Sequence, residues 1–212
     1  MENKIIIAGV NEYSKVVCDA IVSQGKYTVV GFVDDVLQAG TPVMGSYKVL
    51  GTLSNVQNSR YGADSFVVAV EDNNERKRIF ETLKQHLTPA TIVHTSAIVG
   101  STVTLGEGSV VLANAVVNSS IGVDTIVKPG VVVDHECVIG NHVHLGTGTF
   151  VRSPFGIMGK SQIVVGDRYS TVGHTLQMLM PSAPSGKSVK IFFVIFAVVM
   201  VLLLFLSVFK SL

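Results

Sequence analysis

The residues best able to do chemistry lie in one short run, Asp134-His135-Glu136-Cys137, with His142 and His144 close behind. An imidazole beside a carboxylate titrates near neutrality and can act as a general base. The alternative is a solvated surface histidine, because histidine titrates near neutrality wherever it sits. Three histidines also invite a zinc reading, but no further ligand stands out to complete a set, so no metal is expected. Neither Cys18 nor Cys137 reads as an activated nucleophile, and their wide separation implies a reducing compartment without a disulfide framework. Two other motifs carry nothing. Gly186-Lys187-Ser188 mimics the end of a phosphate-binding loop, but Pro181 stands where the first glycine belongs. Asn118-Ser119-Ser120 fits a glycosylation acceptor that the expected compartment would not use.

The elements that must position these histidines show an unusual rhythm. From residue 99 onward an aliphatic recurs every six positions, at Val99, Leu105, Val111 and Val117, then Ile121, Val127, Val133, Ile139, Leu145, Val151, Ile157 and Ile163. Glycine follows it at 100, 106, 122, 140 and 146, and short residues sit four places on at Ser109, Ala115, Thr125, Cys137, Thr149 and Ser161. Helices and flat sheets have no such period, whereas hexapeptide β-helices do. Each hexad forms one face of a three-sided coil with its aliphatic inside. The single slip, from Val117 to Ile121, implies a shortened corner. His135 and His144 fall off the inward positions, so both are expected to point away from the core.

Residues 1–88 alternate strand and helix signals instead. Lys4–Ala8, Thr28–Val33 and Ser65–Val70 read as buried strands. Ser14–Ser23 reads as a helix with Ser14 as N-cap, Leu53–Asn58 as a short helix, and Asn73–His86 as an amphipathic one. The Arg76-Lys77-Arg78 run is expected on that last helix's solvated face. This alternation predicts a small Rossmann-like parallel sheet, a domain of 1–88, followed by the β-helix over 91–175.

The chain has 212 residues, a net charge of +1 and a mean hydropathy of +0.50. Near-neutral charge and the absence of Trp give no case for nucleic-acid binding. The grease is concentrated at 191–209, where none of the 19 residues is charged and 16 are Ile, Phe, Val or Leu. A helix of that length reaches about 28 Å, close to the thickness of a bilayer's hydrocarbon core. The expected organisation is a linker over 176–190 and a single transmembrane helix over 191–209 that holds the rest in the cytoplasm. Ile5–Ile7 is too short an apolar run to serve as a signal peptide.

Four segments together resemble the NeuD/PglD-type sugar O- and N-acyltransferases over about residues 3–165: Val29–Asp35 (VVGFVDD), Ala69–Lys77 (AVEDNNERK), Val93–Ala97 (VHTSA) and above all Val133–Leu145 (VDHECVIGNHVHL). The resemblance implies an α/β domain followed by a left-handed β-helix that trimerises and binds acetyl-CoA between subunits. It implies His135 as the base that deprotonates the acceptor, Glu136 as support for its basicity, and His144 as a contact to acetyl-CoA. Gly9, Asp34 and Asp35 would meet a nucleotide sugar, and no metal takes part. The family's turn GAGGHAKVV becomes Gly9-Val10-Asn11-Glu12-Tyr13-Ser14-Lys15-Val16-Val17 here, Glu71 replaces a glycine, and Lys128-Pro129 replaces an Asn-Thr pair. The expected function is therefore acetyl transfer to a nucleotide-activated or lipid-linked sugar of surface-glycan biosynthesis. The alternative is a non-catalytic trimeric scaffold of a membrane glycan-synthesis complex.

Overall fold

In the computed structural model the described residues are 3–151, 163–165 and 170–171. Strand β1 (Lys4–Ala8) buries its apolar run Ile5–Ala8 and lies between β2 (Thr28–Val33) and β5 (Ser65–Val68), parallel to both. The Gly- and Pro-containing stretch after β2 is not plain loop. It forms the short hairpin of β3 (Pro42–Val43) and β4 (Tyr47–Gly51), and with β6 (Thr88–Pro89) the sheet order is β3-β4-β2-β1-β5-β6. Hairpin strands this short leave too little alternation to be read from sequence.

Helix α1 (Glu12–Gln24) starts earlier than its apolar spacing suggested. Asn11, not Ser14, is the N-cap: its side chain accepts from the Ser14 amide at 2.8 Å, while the Ser14 hydroxyl accepts from the Asn11 amide at 3.0 Å. This reciprocal box satisfies two orphan donors at once, and Ser14 supplies its far half. A single turn, α2 (Val56–Ser59), follows a 3-10 turn at Leu53–Asn55. Helix α3 (Asn73–Leu83) is capped by Asp72 and buries Arg76, Ile79, Phe80 and Leu83 on one face.

From Ile92 the chain winds in coils whose parallel registers stack on each of three faces. Val99, Val117, Val133 and Val151 align on one face, and Val93, Val111, Val127 and Leu145 on the next. Leu105, Ile121 and Ile139 form the third. Successive coils take 18, 16 and 18 residues, so the slip after Val117 is a shortened corner. The next step departs from the hexads. Ile139 aligns with Val165 and Leu145 with Thr171, each 26 residues on, and Ile163 pairs with Cys137 rather than following Leu145.

The small residues of the repeat have two structural uses. A Cβ on Gly106 or Gly122 would come within 2.4 Å of the backbone of the coil above, so only glycine allows those corners to stack. The short hydroxyl residues staple coil to coil: Ser109 donates to the Gly122 carbonyl at 2.7 Å and accepts from the Thr125 amide at 3.1 Å. Thr125 repeats the arrangement with Gly140 and Val143.

The α/β part and the coils pack together within one unit that extends to Thr175. Val17 and Ile21 of α1 share a core with Ile92, Val110 and Ile126, the outward-facing neighbours of the inward column. Each such side chain contributes about 1.5–3 kcal/mol when fully buried. The linker 176–190 and the apolar stretch 191–209 lie outside the described residues. Among the described residues no helix is long and apolar enough to cross a membrane.

Candidate functional site

His135 stands on the coil corner that follows the inward-pointing Val133. Glu136 turns that corner in the left-handed conformation, at φ 58°. The His135 ring is 69% exposed, and its Nδ1 lies 2.7 Å from Asp134 Oδ1. The same carboxylate oxygen accepts from the His135 amide at 2.9 Å, which locks the two side chains together. The hydrogen bond from Asp134, then its charge, raises the imidazole above its ordinary value, with a smaller contribution from the Glu136 charge. Asp134, rather than Glu136, is thus the hydrogen-bond partner of the ring.

Sequence reasoning missed the group that holds this corner. The Ser119 hydroxyl donates to the Asp134 carbonyl at 2.6 Å and accepts from the Cys137 amide at 3.0 Å, spanning the base of the His135 turn. Ser119 sits in the shortened corner of the coil below, and the hydroxyl staples of the other hexads were the available signal. Burial pushes both the Cys18 and the Cys137 thiols up to about 11, so neither is a nucleophile near neutrality.

His144 points away from the coil core but is only 7% exposed. Its strand, His144–Leu145, aligns with Ile126–Val127, Val110–Val111 and Ile92–Val93. The outward column is therefore Ile92, Val110, Ile126, His144, and its first three members are covered by α1. Pointing away from the coil interior is not pointing into water, because the α/β part covers this face. His144 Nε2 lies 3.8 Å from Glu71 Oε1. Glu71 is ion-paired with Lys128, whose ammonium sits 4.2 Å from the centre of the Tyr13 ring. Burial lowers the His144 pKa against the opposing charge of Glu71, and Lys128 and Arg76 lower it further. The ring is therefore neutral at pH 7.

The expected charge run on α3 is divided. Arg78 pairs with Glu75 at the surface, but Arg76 is fully buried. Position 76 precedes Ile79, Phe80 and Leu83 at helical spacing and so lies on the apolar face. Its five donors are consumed: Nε by the Asp124 carbonyl at 3.0 Å, Nη1 by the Val70 and Glu71 carbonyls, and Nη2 by Asn73 Oδ1 and the His142 carbonyl at 2.7 Å. The Asp124 carboxylate lies 3.4 Å from Nε and 2.8 Å from His142 Nδ1. His142 is thereby committed to Asp124, His144 faces Glu71 and His135 faces solvent, so the three histidines do not share a ligand set.

At the end of β1, beside the chain that leaves β5, Gly9 adopts φ +99°, and a Cβ there would meet Val70 at 2.9 Å. Asp34 accepts from the Val10 amide at 3.0 Å through one oxygen and from the Val36 and Leu37 amides through the other. Asp35 accepts from the Leu53 amide at 2.9 Å. Both carboxylates therefore shape the loops around the Gly9 turn. Glu12 extends into solvent, paired with Lys15. His135 and His144 occupy different faces of the coil stack.

Comparison with known proteins fits this architecture. Residues 4–83 match the family model described as PglD N-terminal domain. A histidine-to-asparagine mutant of perosamine N-acetyltransferase from Caulobacter crescentus, solved in complex with CoA and GDP-perosamine, is 30% identical. The match covers 69% of this chain and 70% of that one, with a TM-score of 0.63. The acetyltransferase domain of PglB from Neisseria gonorrhoeae, in complex with acetyl coenzyme A, is 27% identical over 72% of this chain and 75% of that one, with a TM-score of 0.64. WeeI from Acinetobacter baumannii shares the fold at 24% identity and a TM-score of 0.61, over 70% and 72% of the two chains. No curated protein sequence matches. With the two-part fold, the parallel coils and 30% identity over more than two thirds of a sugar acetyltransferase, the chain belongs to the NeuD/PglD-type family of sugar acyltransferases.

Proposed function

We propose that this protein transfers an acetyl group from acetyl-CoA to an amine or hydroxyl of a sugar, nucleotide-activated or lipid-linked, in surface-glycan biosynthesis. The observation that carries the reading is the exposed His135 ring with its Nδ1 on the Asp134 carboxylate. With Nδ1–H donated to Asp134, Nε2 carries the free lone pair and faces solvent as a base. As the acceptor nitrogen or oxygen attacks the thioester carbonyl, Nε2 takes its proton. The tetrahedral adduct then collapses with loss of the CoA thiolate, which the imidazolium reprotonates. A placed base of this kind contributes about 10²–10⁴-fold. His144, neutral and buried beside Glu71 and Lys128, would contact the acetyl-CoA.

Because the two histidines face different directions, one site that uses both needs two copies of the chain. The outward column Ile98, Val116, Val132, Phe150 offers an apolar face for that contact, with Ile98 63% and Phe150 44% exposed. A homotrimer of left-handed β-helices fits this requirement. The stretch 191–209 would tether the assembly to a membrane beside a lipid-linked acceptor. The scaffold reading draws its support from the Gly9 turn, where the Val10, Asn11 and Ser14 amides are all taken by side chains of the chain itself.

The deciding experiment is an acetyl-transfer assay against amino and hydroxy sugars, free and nucleotide-linked, with calorimetric titration of acetyl-CoA alongside. Saturable acetyl-CoA binding and turnover lost in His135→Ala support the enzyme. A stable trimer that binds no acetyl-CoA supports the scaffold.

A further inference from the structure

We infer that Arg76 is a positioning residue for the His144 side of the site, fixing the separation between the loop that carries Glu71 and the His142 turn that leads into the His144 strand. The inference rests on the acyl-transfer reading for its functional meaning, and on Arg76's own contacts for its geometry. Nη1 binds the Val70 and Glu71 carbonyls at 3.1 and 3.2 Å, and Nη2 binds the His142 carbonyl at 2.7 Å. One planar group therefore holds the chain leaving β5 and the chain entering the His144 strand. The guanidinium fork is rigid, so the two backbones cannot move apart without breaking bonds on one side or the other.

The coil side of this junction is itself strained. Asp124 and His142 both adopt the left-handed conformation, at φ 49° and 54°, which non-glycine residues take only when their surroundings hold them there. Their side chains bond each other at 2.8 Å, and the Arg76 Nε donates to the Asp124 carbonyl. The Asp124 amide is anchored by the Glu107 carbonyl and the His142 amide by the Val123 carbonyl. Two residues after His142, the His144 ring arrives 3.8 Å from Glu71. Apolar packing alone would join the two parts without burying a charge, and a buried ion pair stabilises little over such packing. What the guanidinium adds is a defined distance.

The charged groups that face His144 are Glu71, Lys128 and Arg76, and burial together with the two cations keeps its pKa low. Loosening the junction admits water and relieves that burial, so the His144 midpoint rises toward the ordinary histidine value. The test uses the full chain and Arg76→Lys, which keeps the charge and loses the fork. His144 is titrated by NMR, its signal identified by its loss in His144→Ala, and acetyl-CoA affinity is measured by calorimetry. The expected result is a folded protein whose His144 midpoint is raised and whose acetyl-CoA affinity falls roughly ten- to a hundredfold. A folded Arg76→Lys protein with both quantities unchanged overturns the inference. If that variant does not fold, Asn73→Ala withdraws a single anchor from Nη2, and a smaller upward shift is expected; an unchanged midpoint there overturns it equally. If wild type binds no acetyl-CoA, the donor reading fails on its own, and the His144 midpoint alone decides for or against the role of Arg76.

Discussion

Two of the chain's six histidines, His135 and His144, are presented in opposite ways. His135 sits on an exposed corner whose geometry comes from its immediate neighbours, Asp134 and Glu136, with one hydroxyl from the coil below. His144 sits in a buried wall whose geometry comes from residues distant in sequence, Glu71, Arg76 and Lys128, brought there by the packing of the α/β part on the coils. An exposed ring beside one carboxylate can exchange protons with a substrate. A neutral, desolvated ring held by distant groups is suited to binding. On the proposed reading, one fold separates proton transfer from donor recognition by placing them on different faces.

The sharpest way to break this contrast is His135→Ala. It should lower turnover about 10²–10⁴-fold with little effect on folding, because the ring is exposed and bonded to the neighbouring Asp134. Thermal melts and an acetyl-transfer assay on the same preparation check both halves. A large effect of the opposite kind is expected from Arg76→Met. The buried Asp124 carboxylate and several carbonyls lose their partner, and stability should fall by about 3–5 kcal/mol in denaturant melts.

Ser119→Ala should fall between these behaviours. The Cys137 amide and the Asp134 carbonyl lose their staple inside the coil stack, which costs about 1–3 kcal/mol. Turnover should drop as the corner loosens, with acetyl-CoA affinity preserved. Equal losses of turnover and affinity would mean that the corner and the His144 wall are not independent.

The smallest effect sharpens the contrast through pH. Asp134 raises the His135 pKa, and the base works only when deprotonated, so the acid limb of kcat/KM should lie above the ordinary histidine midpoint. In Asp134→Asn the charge is gone and only a neutral acceptor remains for Nδ1–H, so that limb should move to lower pH. A weaker base should also lower the plateau several-fold. For stability the sign is fixed as well. A raised folded-state pKa contributes below the unfolded value, and the contribution is lost as pH rises through the folded one.

The same local-versus-distant division explains what the sequence disclosed. The hexad period of Val99 to Val151 exposed the coils, and the shortened corner showed as a slip from Val117 to Ile121, because stacking leaves an aliphatic at every inward position. The His135 corner was legible for the same reason. Ser14 was mistaken for the cap of α1 because Asn11 lies outside the apolar repeat that marked the helix. The burial of His144 was not legible: the hexad distinguishes inside from outside the coil, and only the docking of α1 decides which outside faces meet water. Arg76 sat in a run of three basic residues that looked solvated, although its spacing to Ile79, Phe80 and Leu83 already placed it on the buried face. The residues at 157 and 163 keep the hexad spacing, although the register steps 26 residues from Ile139 to Val165.

The most direct test of the central claim is co-expression of His135→Ala with His144→Ala, each inactive alone. If one site takes His135 from one copy and His144 from its neighbour, every mixed trimer restores one intact site. Random assembly at equal expression should then recover about a quarter of wild-type turnover. Activity that stays at the level of the separate variants, in a preparation shown to contain mixed trimers, would contradict it.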